Sequence, residues 1–463
     1  MILNIVPGDI PGLTPEEVAI FQKLLNVYNT HCPANAEKER FYEGKISLNS
    51  VNLGLALPKG MQGLEIGCAW GAKCVDVLAA RSMFDGFVGS NGEDVAEIDE
   101  LVEKNRLVAA YMVAARDELK YGCTFATLSA DEEIGCKIRF HSPMTASAVW
   151  DGERGRIAYG MAIIDTAPDN ESGETWSPSL INLYLDDFVI VFSRKDSLWT
   201  FERLANPMGR PLMVPLIWNG TSQKPFGRSR LKAPIRNLIR DYVRTLANAT
   251  LALEFSTAPQ KFFLGLDDEQ YEKVTQQKFN QYVGSIIAAT TNPDTGEKPT
   301  FGQLAQGSLT PHVEKLRMIS TQFSAATGLT VTDVGVVNDA NPTSSDAILA
   351  QSQTLVAMAE QLNVGNGDAL RMIALMALAI ANDTTLDHLS DEQKAVVAHF
   401  KNPAMPSVAV TADAAIKIAS AREGFAQTDT FLEMIGFDKA DIRRINAQER
   451  LASGARTLLE EFS

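Results

Sequence analysis

The spacing of apolar residues predicts helices in the first quarter of the chain. Thr14-Pro15-Glu16-Glu17 has the composition of a capping box, with Thr14 as the cap and Pro15 at the first helical position. Apolar residues then recur at intervals of three and four positions, at Val18, Phe21, Leu24, Leu25 and Tyr28. We expect this helix to end by residue 30, because residues 31–62 lack the pattern and end in a Pro-Lys-Gly turn. Further helices are predicted over 71–83 and 95–119.

From Cys123 to Trp218 the pattern changes to short apolar runs between turn residues. Asp-Gly, Arg-Gly, Asp-Asn and Ser-Gly pairs separate the runs, and four Pro and Gly residues between 207 and 215 close the block. Strands at this spacing indicate an antiparallel sheet or sandwich. The predicted strands cover 124–129, 137–141, 146–150, 157–165, 179–186, 188–193 and 198–202.

One long helical pattern runs from Gly227 to Thr257 and ends at Ala258-Pro259. Thirty residues at about 1.5 Å each make a rod of roughly 45 Å. Its first half carries a basic residue every fourth position, and we call these five residues the basic stripe: Arg228, Lys232, Arg236, Arg240 and Arg244. The stripe is either a solvated face, a face paired with acidic residues such as those in 85–133, or an interface with another subunit or protein.

The second half of the chain is again helical. An insertion, 260–309, separates the long helix from a second helix that begins at Thr310-Pro311 and stops at Gly328. Two helices around an insertion normally pair as an antiparallel hairpin, which places the insertion at its far tip. The pattern then predicts a loop at 329–345, helices at 346–363 and 368–382 separated by Val364-Gly365-Asn366-Gly367, a helix start at Ser390-x-x-Gln393, and a helical tail from Thr411. The fold class is α+β.

Composition narrows the class of protein. A length of 463 residues predicts two to four structural units, and 45% hydrophobic with 21% charged residues supports real cores. The net charge of −15 argues against a protein that grips nucleic acid over its whole surface. Five cysteines, an odd number, and a start without a secretion signal predict reduced thiols in a soluble, cytoplasmic protein. The longest strongly apolar run, Met372–Ala381, is half the length that a bilayer span needs.

Candidate catalytic motifs are weak. Residues 64–71 (LEIGCAWG) look like the glycine loop of a methyltransferase that uses S-adenosylmethionine, but Ala69 stands where a central glycine is expected; the alternative is a structural turn before a helix. Ser229-x-x-Lys232 matches an S-x-x-K motif without its companion motifs. The cysteines lack CxxC spacing, the five histidines are scattered, and no phosphate-binding GxxxxGK[ST] loop occurs. We therefore expect no catalytic residues, no metal and no cofactor.

The order of these elements, with seven short motifs at matching spacing, resembles the portal (head-to-tail connector) proteins of tailed bacteriophages. The resemblance covers about residues 38–385 and is to the branch of long-tailed phages of Gram-positive hosts. Each motif alone is weak, and their order and spacing make the resemblance specific. The motifs are Phe41-Tyr42-Glu43-Gly44, Phe84-Asp85-Gly86-Phe87, Asn105-x-Leu107, Tyr121-Gly122, Pro225-Phe226-Gly227-Arg228-Ser229, Ala258-Pro259-Gln260-Lys261 and Ala326-Thr327-Gly328.

This resemblance implies a ring, usually of twelve copies, at one vertex of the capsid of a virion assembled in the host cytoplasm. Double-stranded DNA would pass through its channel during packaging and ejection, driven by a separate terminase. Implied partners are the terminase, a head–tail adaptor, the major capsid protein and a scaffold protein, with no membrane. The implied regions are a wing (1–222), stem helix 1 (223–258), clip (259–309), stem helix 2 (310–328), tunnel loop (329–345), long wing helices (346–385) and crown (386–463).

Three sets of residues are candidates for function within that scheme. The tunnel loop suits a constriction that touches DNA without reading its bases; its candidates are Thr330, Thr332, Asp333, Asn338, Asp339 and Asn341. The clip would dock the terminase and the adaptor, with Asp267, Asp268, Tyr271 and Asp294 as candidates. The basic stripe would be a subunit or partner interface. The competing hypotheses are a methyltransferase-like enzyme that uses 64–71, and another phage minor head protein.

Overall fold

The computed structural model divides into two compact units, Met1–Lys401 and Asn402–Ser463. It describes residues 2–46, 66–89, 96–168, 176–195, 198–257, 261–264, 296, 300–303, 308–335, 345–404, 408–422, 424–437, 441–442 and 444–451. The helices in this part of the chain are α1 Pro15–Tyr42, α2 Trp70–Ala79, α3 Ala96–Lys104, α4 Leu107–Tyr121, α5 Ala233–Thr257, α6 Thr310–Thr327, α7 Ser345–Ala381, α8 Asp391–Lys394, α9 Val408–Ala421 and α10 Asp429–Ile435.

Among the described residues, all strands lie in the first unit. They are β1 Phe84–Val88, β2 Cys123–Asp131, β3 Gly135–His141, β4 Ala146–Asp151, β5 Arg156–Pro168, β6 Trp176–Tyr184, β7 Phe188–Lys195, β8 Leu198–Ala205, β9 Met213–Ile217, β10 Lys261–Leu264, β11 Thr300–Gln303 and β12 Val397–Phe400.

Helix α1 begins as predicted and ends later than predicted. The Thr14 side chain accepts from the Glu17 amide and the Glu17 carboxylate accepts from the Thr14 amide, which completes the capping box. The prediction that residues after 30 are irregular is wrong, because the helix continues through Pro33 to Tyr42. A proline inside a helix costs about 3 kcal/mol. Burial of Phe41 in the core of the first unit offsets that cost.

The helix predicted over 95–119 is two helices. Arg106 lies between α3 and α4 with a left-handed backbone, φ 49°. The Asn105 side chain fixes the break: its oxygen accepts from the Ile138 amide at 2.8 Å, and its nitrogen donates to the Cys136 carbonyl at 2.9 Å. Spacing alone did not reveal the break, because the partners of Asn105 come from β3.

The seven strands predicted between Cys123 and Glu202 are confirmed as β2 to β8. Together with β9 they form two antiparallel sheets, in the order β3-β2-β9 and β4-β5-β6-β7-β8. Strand β9 was not predicted, because it contains Pro215 and proline normally indicates a turn. Pro215 is tolerated because β9 is an edge strand that pairs with β2 alone. The pair β1 and β12, which joins residues more than 300 positions apart in the chain, was also not predicted.

Three hydrophobic clusters hold the first unit together. The first packs the apolar C-terminal half of α7 against β2, β3 and α4. The second joins α2, α5 and α6 to the N-terminal half of α7. In the third, α1 covers the five-stranded sheet, and the rings of Phe21 and Phe192 stack with centroids 4.7 Å apart. All five cysteines lie within the described residues and are buried thiols that form no disulfide bond, as expected from the sequence.

Helix α7 is continuous, so the predicted separation of two helices at 364–367 is wrong. Asn366 in the middle of this segment is fully buried and bonds to α4, which compensates for the low helix propensity of its glycine neighbours. Residues Ser352–Ala381 are long and apolar enough to cross a membrane, but half of the most apolar window is buried inside the protein. The helix is thus apolar because it lies in the core.

The second unit is a small helical body. It contains α9, α10 and helical residues 441–442 and 444–451, consistent with the predicted helical tail. The Thr428 side chain caps α10 by accepting from the Phe431 amide. Ala415 and Ile442 are its buried apolar residues in the described part, whereas Ile416 and Phe437 are exposed.

Candidate functional site

The candidate site is the two-helix hairpin formed by α5 and α6. Helix α5 buries one residue in every four, and this column packs against Ile319 and Phe323 of α6. Beyond the free ends of the helices, β10 pairs antiparallel with β11, which keeps the two chain segments together. The predicted hairpin therefore forms. The buried column of α5 consists of Ile235, Ile239, Val243 and Ala247.

The base of the hairpin is attached to the end of α4 by backbone contacts. Gly227 has φ +72°, and a Cβ there would lie 2.2 Å from the Trp218 carbonyl oxygen. The Arg228 amide donates to Trp218 O, and the Arg230 amide donates to Leu119 O. Residues 227–230 therefore form a tight connection before the helix. The long helix predicted from Gly227 consequently begins only at Ala233.

The S-x-x-K motif has a structural role. The Ser229 hydroxyl is buried, donates to the Lys120 carbonyl and accepts from the Leu231 amide. Lys232 is exposed, whereas Ser229 is buried. A hydroxyl that is engaged in this way has no neighbouring base, so it is not a nucleophile.

Arg230 ties the hairpin to the rest of the first unit. Its side chain is 8% exposed, and Nε donates to the Cys74 carbonyl of α2 at 2.7 Å. Nη2 donates to the carbonyl of Thr327, the last residue of α6, also at 2.7 Å. Nη1 lies 3.4 Å from the sulfur of Met358 on α7. One side chain, in the connection before α5, thus joins three helices, α2, α6 and α7, at the hairpin base.

The basic stripe divides into two groups. Arg236 Nη2 and Arg240 Nη2 lie 3.3 and 2.5 Å from the Glu37 carboxylate of α1, and the Arg240 guanidinium stacks over the Phe41 ring. Arg228, Lys232 and Arg244 are exposed, and no ion pair of theirs is found within the described residues. The acidic partner is therefore Glu37, outside the stretch 85–133 that the sequence suggested. Glu37 was missed because the sequence pattern ended α1 before it.

The first part of the tunnel loop is folded against the hairpin. The Asp333 carboxylate accepts from the amide and from the hydroxyl of Thr330, at 2.9 and 2.7 Å, which closes a turn. Leu329 and Val334 on either side are buried, and Thr332 is exposed. The other proposed loop residues, Asn338, Asp339 and Asn341, lie outside the described residues, as do the clip residues Asp267, Asp268, Tyr271 and Asp294.

Gly71, the last residue of the glycine motif 64–71, lies where two helices meet. A Cβ on Gly71 would lie 2.0 Å from the Phe41 carbonyl oxygen, so this glycine lets α2 approach the end of α1. Strand β1, which follows α2, pairs antiparallel with β12 and is not the parallel strand that a nucleotide-binding unit needs. Among the described residues, no group of three His, Cys, Asp or Glu side chains could hold a metal ion. The methyltransferase hypothesis is not supported.

The comparisons identify the family. The family model described as phage portal protein, SPP1 Gp6-like, matches residues 22–454. The chain therefore belongs to the SPP1 Gp6-like phage portal protein family, whose members are structural and not enzymes. Its role is that of a portal protein, a component of the virion vertex. No curated protein matches the chain.

Two solved structures are similar to the chain. One is described as the neck of an empty GTA particle computed with C6 symmetry: it is 12% identical, the match covers 85% of this chain and 98% of that one, and the TM-score is 0.47. The other is the neck of a native GTA particle computed with C12 symmetry, with the same identity and coverage and a TM-score of 0.45.

Proposed function

We propose that this chain forms a closed ring, usually of twelve copies, through which double-stranded DNA passes during packaging and ejection. Membership of the portal family together with the long α5–α6 hairpin supports this function. We place the protein in the branch of long-tailed phages of Gram-positive hosts, with assembly in the host cytoplasm. The clip, 259–309, docks the terminase and the head–tail adaptor, and the wing contacts capsid and scaffold proteins.

The dimensions of a ring of hairpins fit a DNA duplex. Twelve helices side by side at about 10 Å make a circumference of about 120 Å and a radius of about 19 Å. After one helix diameter of about 10 Å is subtracted, the bore is roughly 28 Å. A DNA duplex would pass through such a bore with a margin.

The charge of the chain suits passage of DNA rather than retention. DNA carries one negative charge per roughly 1.7 Å of axis, so a strongly basic bore would bind it tightly. The subunit has a net charge of −15, and two residues of the basic stripe are already paired with Glu37. We assign the exposed members Arg228, Lys232 and Arg244 to a contact with the neighbouring subunit or a partner.

The tunnel loop is the proposed constriction. Its described part presents the Thr332 side chain at the surface beside the Thr330–Asp333 turn. Small hydroxyl and amide side chains there would contact the DNA backbone without base recognition. The neighbouring carboxylates would keep this contact weak, because they repel the phosphates. Thr330, Thr332, Asp333, Asn338, Asp339 and Asn341 are the residues to which we assign this contact.

Electron microscopy of the purified full-length protein tests the ring. We expect closed rings with twelve-fold symmetry and an open centre wider than a duplex. Particles that remain monomeric, or rings with a centre filled by protein, would contradict the proposal.

A deletion within the tunnel loop tests the channel. Removal of residues 336–344 leaves the buried Leu329 and Val334 in place, so we expect normal rings and capsids of normal appearance that contain little DNA. A matched deletion outside the proposed channel, residues 169–175 between β5 and β6, is the control and should package normally. Normal packaging by the loop deletion would show that 336–344 has no part in DNA passage.

A further inference from the structure

A buried polar pair joins α4 to α7 in the middle of the first unit. Glu118 and Asn366 are both 0% exposed. The Asn366 side-chain nitrogen donates to Glu118 Oε2 at 2.7 Å and to the Tyr111 hydroxyl oxygen at 2.9 Å. The Tyr111 hydroxyl is in turn 2.6 Å from the Ser82 hydroxyl. None of these groups belongs to the hairpin, so the proposed function does not explain the pair.

Each member of the pair has one oxygen atom that lacks a partner. Glu118 Oε1 and Asn366 Oδ1 are both buried, and neither has a hydrogen bond within the described part of the chain. A carboxylate oxygen and an amide oxygen can only accept. With Glu118 ionised, the core would contain two unsatisfied acceptors and one uncompensated charge. Each unsatisfied acceptor destabilises the folded state, and the unpaired buried charge destabilises it more.

A single proton resolves both defects. A protonated carboxyl group has an O–H donor, and the missing partner of the amide oxygen is a donor. A carboxylic acid and a primary amide can form a cyclic pair, in which the amide N–H donates to one carboxyl oxygen and the carboxyl O–H donates to the amide oxygen. The observed 2.7 Å bond from Asn366 to Glu118 is one half of that pair.

We propose that Glu118 is protonated in the folded protein and that its hydroxyl donates to Asn366 Oδ1, which closes an acid–amide pair between α4 and α7. The proton comes from solvent on folding and returns to solvent when the carboxyl group ionises. The pair anchors the midpoint of α7 while it is neutral. Ionisation breaks the O–H···O bond and leaves a buried charge between the two helices.

The surroundings of Glu118 favour the neutral form. Burial raises the pKa of Glu118 to about 8, although the hydrogen bond from Asn366 by itself lowers this pKa. The titratable groups that face it are Tyr111 on α4 and Cys123 at the start of β2, and burial raises the pKa of both, that of Cys123 to about 12. From α7 the facing group is Asn366, which does not titrate. Lys120 is engaged with Glu39 and Asp117 instead.

The sign of the pH effect follows from the raised pKa. Between pH 4.5, the ordinary pKa of a Glu side chain, and about 8, the folded chain keeps a proton that the unfolded chain has released. The stabilising contribution is therefore complete below 4.5 and is lost as the pH rises towards 8. A carboxylate held by an ion pair would show the opposite slope.

Thermal unfolding of the full-length protein over this pH range tests the pair. In Glu118→Gln, the new side chain has an N–H donor for Asn366 Oδ1 and an oxygen acceptor for the Asn366 amide at every pH. We expect the unfolding temperature of this variant, relative to that of the wild type, to rise steadily as the pH increases to 8. Glu132→Gln, a matched change at an exposed position, should follow the wild type.

Infrared spectroscopy of the wild type tests the proton directly and needs no variant to fold. With glutamate labelled by carbon-13, we expect at neutral pH the carbonyl band of a protonated carboxylic acid from a buried group, and its absence in Glu118→Gln. A wild-type spectrum without this band would overturn the proposal, as would an unfolding profile of Glu118→Gln parallel to that of the wild type.

Discussion

Arg230 is a buried cation whose described polar contacts are carbonyl oxygens and a sulfur, not a carboxylate. Its guanidinium lies at the C-terminal end of α6, where the last carbonyls carry partial negative charge. This contact, with the bond to the Cys74 carbonyl, compensates for the loss of water around the charge. Sequence pattern did not single out Arg230, because it falls outside the four-residue spacing of the basic stripe.

Arg230→Ala should destabilise the first unit strongly. The substitution leaves the Cys74 and Thr327 carbonyls without their donors, and hydrogen bonds to a charged group contribute about 1.5–3 kcal/mol each. We expect the free energy of unfolding in urea to fall by about 3 kcal/mol. Arg244→Ala, at an exposed position on the same hairpin, should change it by less than about 0.5 kcal/mol. Equal effects of the two variants would show that the Arg230 bonds contribute nothing.

Among the elements, the junction of α1 and α2 depends on the absence of one side chain. Gly71 lies where the α2 backbone meets the Phe41 carbonyl, and Trp70 beside it packs its ring against Tyr242 and Phe323 of the hairpin, with centroids 4.0 and 4.6 Å apart. Gly71 and Trp70 therefore allow α1 and α2 to pack closely against each other and against the hairpin. The sequence shows Gly71 but not its partner Phe41, which is more than 25 residues away in the chain.

Gly71→Ala should separate α2 from α1. Its Cβ would lie 2.0 Å from the Phe41 carbonyl oxygen. This distance is a steric clash, and the backbones of the two helices must move apart to remove it. Overpacking of this kind costs about 1–3 kcal/mol or more, and we expect a clear fall in the unfolding temperature. Gly67→Ala, in the same loop, meets nothing within 4 Å and should leave the unfolding temperature nearly unchanged. The opposite ranking of the two variants would contradict this account of the loop.

Helix α7 shows that sequence pattern alone does not always predict where a helix ends. The helix propensity is low at Val364-Gly365-Asn366-Gly367, which predicts a break in the helix there. Burial of Asn366 against Tyr111 and Glu118 keeps the helix continuous. Tertiary contacts contribute more than the difference of about 1 kcal/mol per glycine that propensity predicts.

At the scale of the whole molecule, the two groups of the basic stripe should respond differently to charge reversal. Lys232→Glu with Arg244→Glu changes exposed residues, so we expect unchanged unfolding of the subunit and loss of rings in electron microscopy. Arg236→Glu with Arg240→Glu places two acids against Glu37, so we expect the free energy of unfolding to fall by about 1 kcal/mol. If the first double variant forms normal rings, Lys232 and Arg244 are solvated residues that have no role in an interface.

The amino-acid sequence by itself determined the class of the fold, the seven central strands, the hairpin of long helices and the family. These features are local in sequence or periodic, and periodicity can be recognised without knowing which residues meet. The tertiary structure decided the length of α1, the break before α4, the continuity of α7, and the partners of Arg230, Arg236 and Arg240. Each of these depends on a contact between residues far apart in the chain, and such contacts leave no local pattern.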